Sequence, residues 1–174
     1  MNSLIVGVGD CKVSNDPGAT LVTHALGSCI GMAIYDPVCH VGGLLHFMLP
    51  DSGIDTEKAA RQPYMFADTG IPALFHRAYR LGAEKKRIRV IVAGGAQVIE
   101  SELFQIGKRN QLAMRKILWK AGVLVHGEDT GGELSRTIRL EMATGRVLMK
   151  IAAGAERELG PAKSLLTREN LCAV

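Results

Sequence analysis

Ile30-Gly31-Met32-Ala33-Ile34-Tyr35, then Asp36-Pro37-Val38-Cys39, then Gly42-Gly43-Leu44-Leu45-His46-Phe47-Met48-Leu49-Pro50: two apolar runs of strand length flank an Asp-Pro pair. Asp suits the first position of a β-turn and Pro the second, so the stretch reads as a hairpin. With Pro37 and Val38 as the two central residues, Asp36 faces Cys39 and Cys29 lands directly opposite His46. Directly opposed Cβ atoms lie about 4.5–5.5 Å apart, close enough for a thiol and an imidazole to share a proton. A slip of one residue would put the two on opposite faces, so the register carries the argument.

Working outward, Leu26-Gly27-Ser28-Cys29 precedes the first strand. Gly27 and Ser28 favour a tight bend that aims backbone N–H groups at the place where an oxyanion would form. An imidazole beside a cysteine converts thiol to thiolate, the species that attacks a carbonyl carbon. Residue types and spacing alone equally allow a buried cysteine acting as a small hydrophobe beside a hydrogen-bonded core histidine.

The 174 residues, 47% of them apolar and 22% charged, suit one domain with its own core. No basic N-terminal region precedes an apolar run, and no segment approaches the ~20 apolar residues of a membrane span, so the expectation is a cytoplasmic protein without membrane insertion. Cysteines 11, 29, 39 and 172 show no paired spacing, and neither disulfides nor a metal site is expected. A zinc set of Cys29, Cys39, His40 and His46 would require the turn to fold back over the hairpin. A net charge of +4 is too mild for a nucleic-acid binder, and no glycine-rich phosphate loop is present; no cofactor is expected.

Upstream, Leu4–Gly9 and Thr20–Leu26 read as strands, the second carrying Thr23 toward the cysteine bend. Residues 51–65 read as a surface loop. Ile71, Leu74, Phe75, Ala78 and Leu81 recur at helical spacing, with Asp68 or Thr69 as N-cap and Gly82 as the stop. Arg77, Arg80, Lys85, Lys86, Arg87 and Arg89 form the densest basic cluster, a solvated face that is also a candidate for steering an acidic helix. Arg89–Ala93 is a buried-type strand, Ile106-Gly107-Lys108-Arg109-Asn110 leads a second helix, Val123–Val125 reads as a strand, and 128–132 as a turn-rich loop. Ser135–Met142 and Val147–Ile151 read as a closing hairpin. The expected fold is α+β: a single layered domain of mainly antiparallel sheet and hairpins with two main helices over residues 1–154, followed by a tail at 155–174.

Thr23, Cys29 within Leu-Gly-Ser-Cys, Asp36-Pro37, Gly42-Gly43, His46 with Met48-Leu49-Pro50, Ala93-Gly94-Gly95-Ala96, Arg109-Asn110 and Glu128-Asp129-Thr130-Gly131-Gly132 together resemble the CheD family of chemoreceptor glutamine deamidases. The resemblance runs in unbroken order over roughly residues 5–150. It implies a layered fold related to glutamine-deamidating toxins and a protein-glutamine glutaminase acting on the cytoplasmic helices of chemotaxis receptors, often with hydrolysis of glutamyl methyl esters. It further implies Cys29 as nucleophile, His46 as base and acid and Thr23 as orienter of the imidazole; oxyanion support at Gly27 and Ser28 is the reading of the bend's own residues. In some members a CheC-type phosphatase is a regulatory partner. The alternative is a binding module for such a phosphatase or for a receptor helix, with little turnover.

Overall fold

The structure, a computed structural model, describes residues 2–97, 105–152 and 154–160. In chain order its elements are β1 (Asn2–Ile5), β2 (Asp10–Ser14), β3 (Ala19–Leu26), β4 (Ile30–Asp36), β5 (Val41–Phe47), α1 (Thr56–Arg61), α2 (Ala67–Arg80), β6 (Arg89–Gly94), α3 (Ile106–Lys120), β7 (Gly127–Thr130), β8 (Arg136–Glu141), β9 (Val147–Ile151) and β10 (Arg157–Glu158). They build two five-stranded sheets of order β1-β3-β8-β9-β10 and β2-β5-β4-β6-β7. All pairings are antiparallel except β1 with β3 and β6 with β7. The α+β expectation holds.

The central strands β4 and β5 are buried along their whole length because both faces are covered. One face, with Ile30, Met32, Ile34, Leu45 and Phe47, packs on Ile71, Leu74 and Phe75 of α2 and on Met114 and Leu118 of α3. The other, with Ala33, Tyr35 and Leu44, meets Leu21, Leu26, Ile138 and Leu140 of the second sheet. Each fully buried Leu, Ile or Phe contributes about 1.5–3 kcal/mol, so this double packing holds the central hairpin. No helix among the described residues is long and apolar enough to cross a membrane.

The register of that hairpin differs from the sequence expectation. Asp36 pairs with Val41 rather than Cys39, Gly31 stands opposite His46, and Pro37–His40 form a four-residue connection with His40 at φ +54. The cause is Asp36, which is fully buried and accepts from Val38 N at 2.9 Å, Glu84 N at 2.9 Å and the Arg87 guanidinium. That carboxylate organises a wider turn than Asp-Pro alone dictates. A shift of two residues preserves faces, so Cys29 stays on His46's side, one diagonal step away instead of directly opposite.

Other segments depart from the reading. β2 appears where no strand was expected, along the free edge of β5. Residues 51–65 contain α1, capped by the Asp55 side chain accepting from Lys58 N at 2.9 Å, between two short 3₁₀ turns. Helix α2 begins behind Phe66, whose side chain cannot cap it, so Asp68 and Thr69 lie inside its first turn, Asp68 accepting from Ser52 and Thr69 donating to the Pro63 carbonyl. Val123–Val125 is the reversal after α3, with Gly122 at φ +61 and Val123 N bonded to Leu118 O, and the strand lies instead at β7. At the C-terminal end β10 pairs with β9 and Leu159 is buried, so the sheet takes in residues past 154; 161–174 lie outside the described residues.

Candidate active site

Thr23 and His46 are polar residues on strands that otherwise bury apolar side chains, and both face the space between the two sheets. Thr23 is held there by a bulge: it pairs with Ile138 and Leu26 with Arg136, so β3 spends one extra residue between them. The extra residue is accommodated by Ala25 in a left-handed conformation, φ +56. Without the bulge Leu26 and Thr23, three apart, would face opposite ways.

Thr23 Oγ1 lies 2.7 Å from the Val6 carbonyl oxygen and 2.7 Å from His46 Nδ1. A hydroxyl has one proton, and a carbonyl oxygen can only accept, so that proton goes to Val6. Thr23 must therefore accept from Nδ1–H, which fixes the neutral imidazole with its bare lone pair on Nε2. Nε2 is buried and has no hydrogen-bond partner among the described residues.

Cys29 sits in the bend between β3 and β4, packed partly buried against the same inter-sheet cluster. The carbonyls of this bend are all drawn inward. Gly27 O accepts from Ala96 N at 2.7 Å, Cys29 O from Gly95 N at 2.7 Å and Ser28 O from Asn110 Nδ2 at 3.0 Å. In a trans peptide the C=O and the following N–H point in opposite directions. The N–H groups of Ser28 and Cys29 are thereby turned away from these partners, and neither donates to a backbone carbonyl among the described residues. Gly94, at φ +111, lets β6 approach closely enough for this: a Cβ there would lie 2.2 Å from Cys29 O.

Burial sets the electrostatics. It pushes the Cys29 thiol up from its ordinary value and the His46 imidazole down to about 4. Both shifts favour the neutral thiol and the neutral imidazole over the thiolate that the sequence suggests.

Cys29, His46 and Thr23 thus share the inter-sheet space, with Gly27 and Ser28 shaping the bend. Cys39 and His40 are carried to the far end of the hairpin, away from Cys29 and His46. Asp129 binds Arg136 and Arg157, and Glu128 binds Arg115, so these two carboxylates tie elements together. Sequence reasoning missed Asn110 as part of this neighbourhood. Its signal was an amide on the buried stripe Gly107, Asn110, Met114 and Leu118 of an otherwise amphipathic helix.

Two sheets face to face, helices on one side, and a partly buried cysteine and a histidine of fixed tautomer in the space between the sheets define an α+β protein with a candidate cysteine–histidine site. A sequence model described as CheD chemotactic sensory transduction matches residues 48–151. A probable chemoreceptor glutamine deamidase of Syntrophus aciditrophicus is 54% identical over 160 residues, 91% of this chain and 100% of that protein. Another, from Solibacter usitatus, is 52% identical over 162 residues, 92% of this chain and 95% of its own length. The chemoreceptor glutamine deamidase of Thermotoga maritima is 38% identical over 153 residues, 88% and 94% of the two chains. The chain belongs to the CheD family.

Proposed function

We propose that this protein deamidates glutamine side chains of chemotaxis receptors to glutamate in the cytoplasm, with Cys29 as nucleophile, His46 as base and acid and Thr23 as orienter. The observation that carries the reading is the directed chain from His46 Nδ1–H to Thr23 to the Val6 carbonyl, which leaves Nε2 as a buried, unpartnered acceptor on the face that bears Cys29.

Sγ attacks the side-chain amide carbon while its proton passes to Nε2. The carbonyl oxygen, now negative, is received by the N–H groups of Ser28 and Cys29, which the inward carbonyls have oriented beforehand. The imidazolium returns its proton to the leaving nitrogen, ammonia departs, and a thioester remains. Water then attacks the thioester carbon, giving its proton to Nε2, and collapse returns that proton to sulfur with release of glutamate. A glutamyl methyl ester would enter the same thioester by losing methanol. The family also makes a CheC-type phosphatase a candidate partner at this site.

The test is incubation with a receptor cytoplasmic fragment, reading ammonia and intact mass. A gain of about one dalton per glutamine converted, with the backbone whole, is expected. Cys29→Ala should abolish it, and His46→Ala should reduce it by about 10²–10⁴-fold, the usual worth of general acid–base catalysis. A folded Cys29→Ala variant that still releases ammonia would remove the cysteine mechanism; receptor binding without ammonia from the wild type would favour the binding-module alternative.

A further inference from the structure

Asn110 is fully buried on a helix face that otherwise packs Gly107, Met114 and Leu118. Burying an amide costs on the order of 1–3 kcal/mol unless its hydrogen bonds are replaced, and Oδ1 has no partner among the described residues. The NH₂ group is what the fold uses. Nδ2 donates to Ser28 O at 3.0 Å and to Met48 O at 2.8 Å. Both partners are carbonyl oxygens, so only the nitrogen end of the amide can face them.

These two carbonyls stand just beyond the last rung of the β4–β5 ladder, which ends at Ile30 with Phe47. Past that rung the strands have no backbone bond to each other, and one carries Cys29 while the other has just passed His46. A planar NH₂ donates along two directions at a fixed angle, so the side chain serves as one further rung. The helix that supplies it is itself seated on the bend's support. A Cβ at Gly107 would lie 2.6 Å from the carbonyl oxygens of both Gly95 and Ala96, and Gln111 Nε2 donates to Gly95 O at 2.8 Å.

We infer that Asn110 is a positioning residue that sets the spacing of the Cys29 thiol and the His46 imidazole by tying Ser28 O to Met48 O; this rests on the acyl-transfer reading above. Without it two partly buried carbonyls lose their donor and the bend is free to drift from the base. A misplacement of about 1 Å can cost about 10²-fold in rate.

The experiment begins with wild type and Cys29→Ala on the receptor fragment, which tests the underlying reading by itself. Asn110→Ala is then expected to lower kcat by about 10²-fold with KM little changed, measured well below the variant's own Tm. Asn110→Asp separates positioning from mere packing. Its carboxyl, buried against two carbonyls, holds its proton to unusually high pH and donates to one of them only while protonated. Its kcat should therefore rise as pH is lowered from about 8 to about 6, a rise that wild type and Asn110→Ala lack. Wild-type kcat in Asn110→Ala, a loss confined to KM, or matching pH profiles for the two variants would overturn the inference. Should neither variant fold, the wild type supplies the readout by NMR. The Asn110 side-chain amide protons should exchange slowly and shift when Cys29 is carbamidomethylated, whether or not the enzyme turns over; fast-exchanging, unshifted protons would overturn it.

Discussion

The imidazole of His46 is 2% exposed and its neutral form is the one the fold favours. Its usefulness depends on which nitrogen keeps the proton, and Thr23 decides that by having given its own proton to Val6. Thr23→Ser preserves the hydroxyl and should retain most activity. Thr23→Val preserves shape but leaves Nδ1–H without an acceptor; the ring can then move its proton to Nε2, which abolishes the base, or rotate, which misplaces it. A fall of about 10²-fold in kcat is expected, with Thr23→Val still above Cys29→Ala. Equal loss in Ser and Val variants would mean that the hydroxyl bond is not what Thr23 contributes. At this scale the sequence is informative where residue type carries the signal: Cys29, His46 and Thr23, singled out by type and spacing, face the same inter-sheet space. It was silent on Val6, whose contribution is a backbone carbonyl that any residue possesses; Asn110 was quoted only as part of a signature, and what its amide does could be read only once the helix face was known to be buried.

Among the elements, β3 shows how little sequence signal a decisive irregularity needs. The bulge between Thr23 and Leu26 turns both side chains inward, and it is made by an alanine at φ +56, a conformation that costs a non-glycine residue about 1–2 kcal/mol. Glycine would remove that cost while adding unfolded-chain entropy of about 0.4–1 kcal/mol. Ala25 is exposed, so no packing is lost. Ala25→Gly should therefore hold or raise the urea midpoint with activity intact, and Ala25→Val, β-branched at positive φ, should lower both. A clear loss of stability in the glycine variant would show that Ala25 is not strained. Nothing in Thr23-His24-Ala25-Leu26 announces this bulge, because the requirement comes from β8 across the sheet. The same reason hid β2 and β7: each is a short strand on a sheet edge, and β7 in particular has no apolar run for a sequence reading to find. The central hairpin was legible since its run is buried on both faces, and even its misjudged turn kept parity because the error was two residues.

For the whole molecule the consequential question is where the charge lies relative to the site. In β4 and β6, Ile30 pairs with Gly94 and Tyr35 with Arg89, so the Arg89 end stands five residues, or about 17 Å, along the sheet from the Cys29 end. That exceeds the screening length of about 8 Å at physiological ionic strength. The basic cluster also has work of its own: Arg77 binds Cys11 O and Tyr64, Lys86 pairs with Glu84, and Arg87 holds Asp36, whose side chain is fully buried. Steering by these residues is thus replaced by a structural role centred on Arg87. Burial alone would raise the Asp36 carboxyl, but the guanidinium and the N–H groups of Glu84 and Val38 hold it well below the usual carboxylate range. A carboxyl depressed on folding stabilises the protein above its unfolded value of about 3.9, and the contribution is lost as pH falls through the folded value. Arg87→Glu reverses the sign: it leaves Asp36 buried beside a like charge, raises its pKa, and should lower the urea midpoint far more than Lys85→Glu or Lys86→Glu. The deficit against wild type should shrink as pH is lowered from 7 toward 4, because the variant regains stability on protonating Asp36 while the wild type gains nothing there. kcat/KM per folded molecule should stay unchanged at low salt. A deficit that is constant with pH, or a low-salt loss of kcat/KM in a fully folded Arg87→Glu variant, would return the cluster to a steering role.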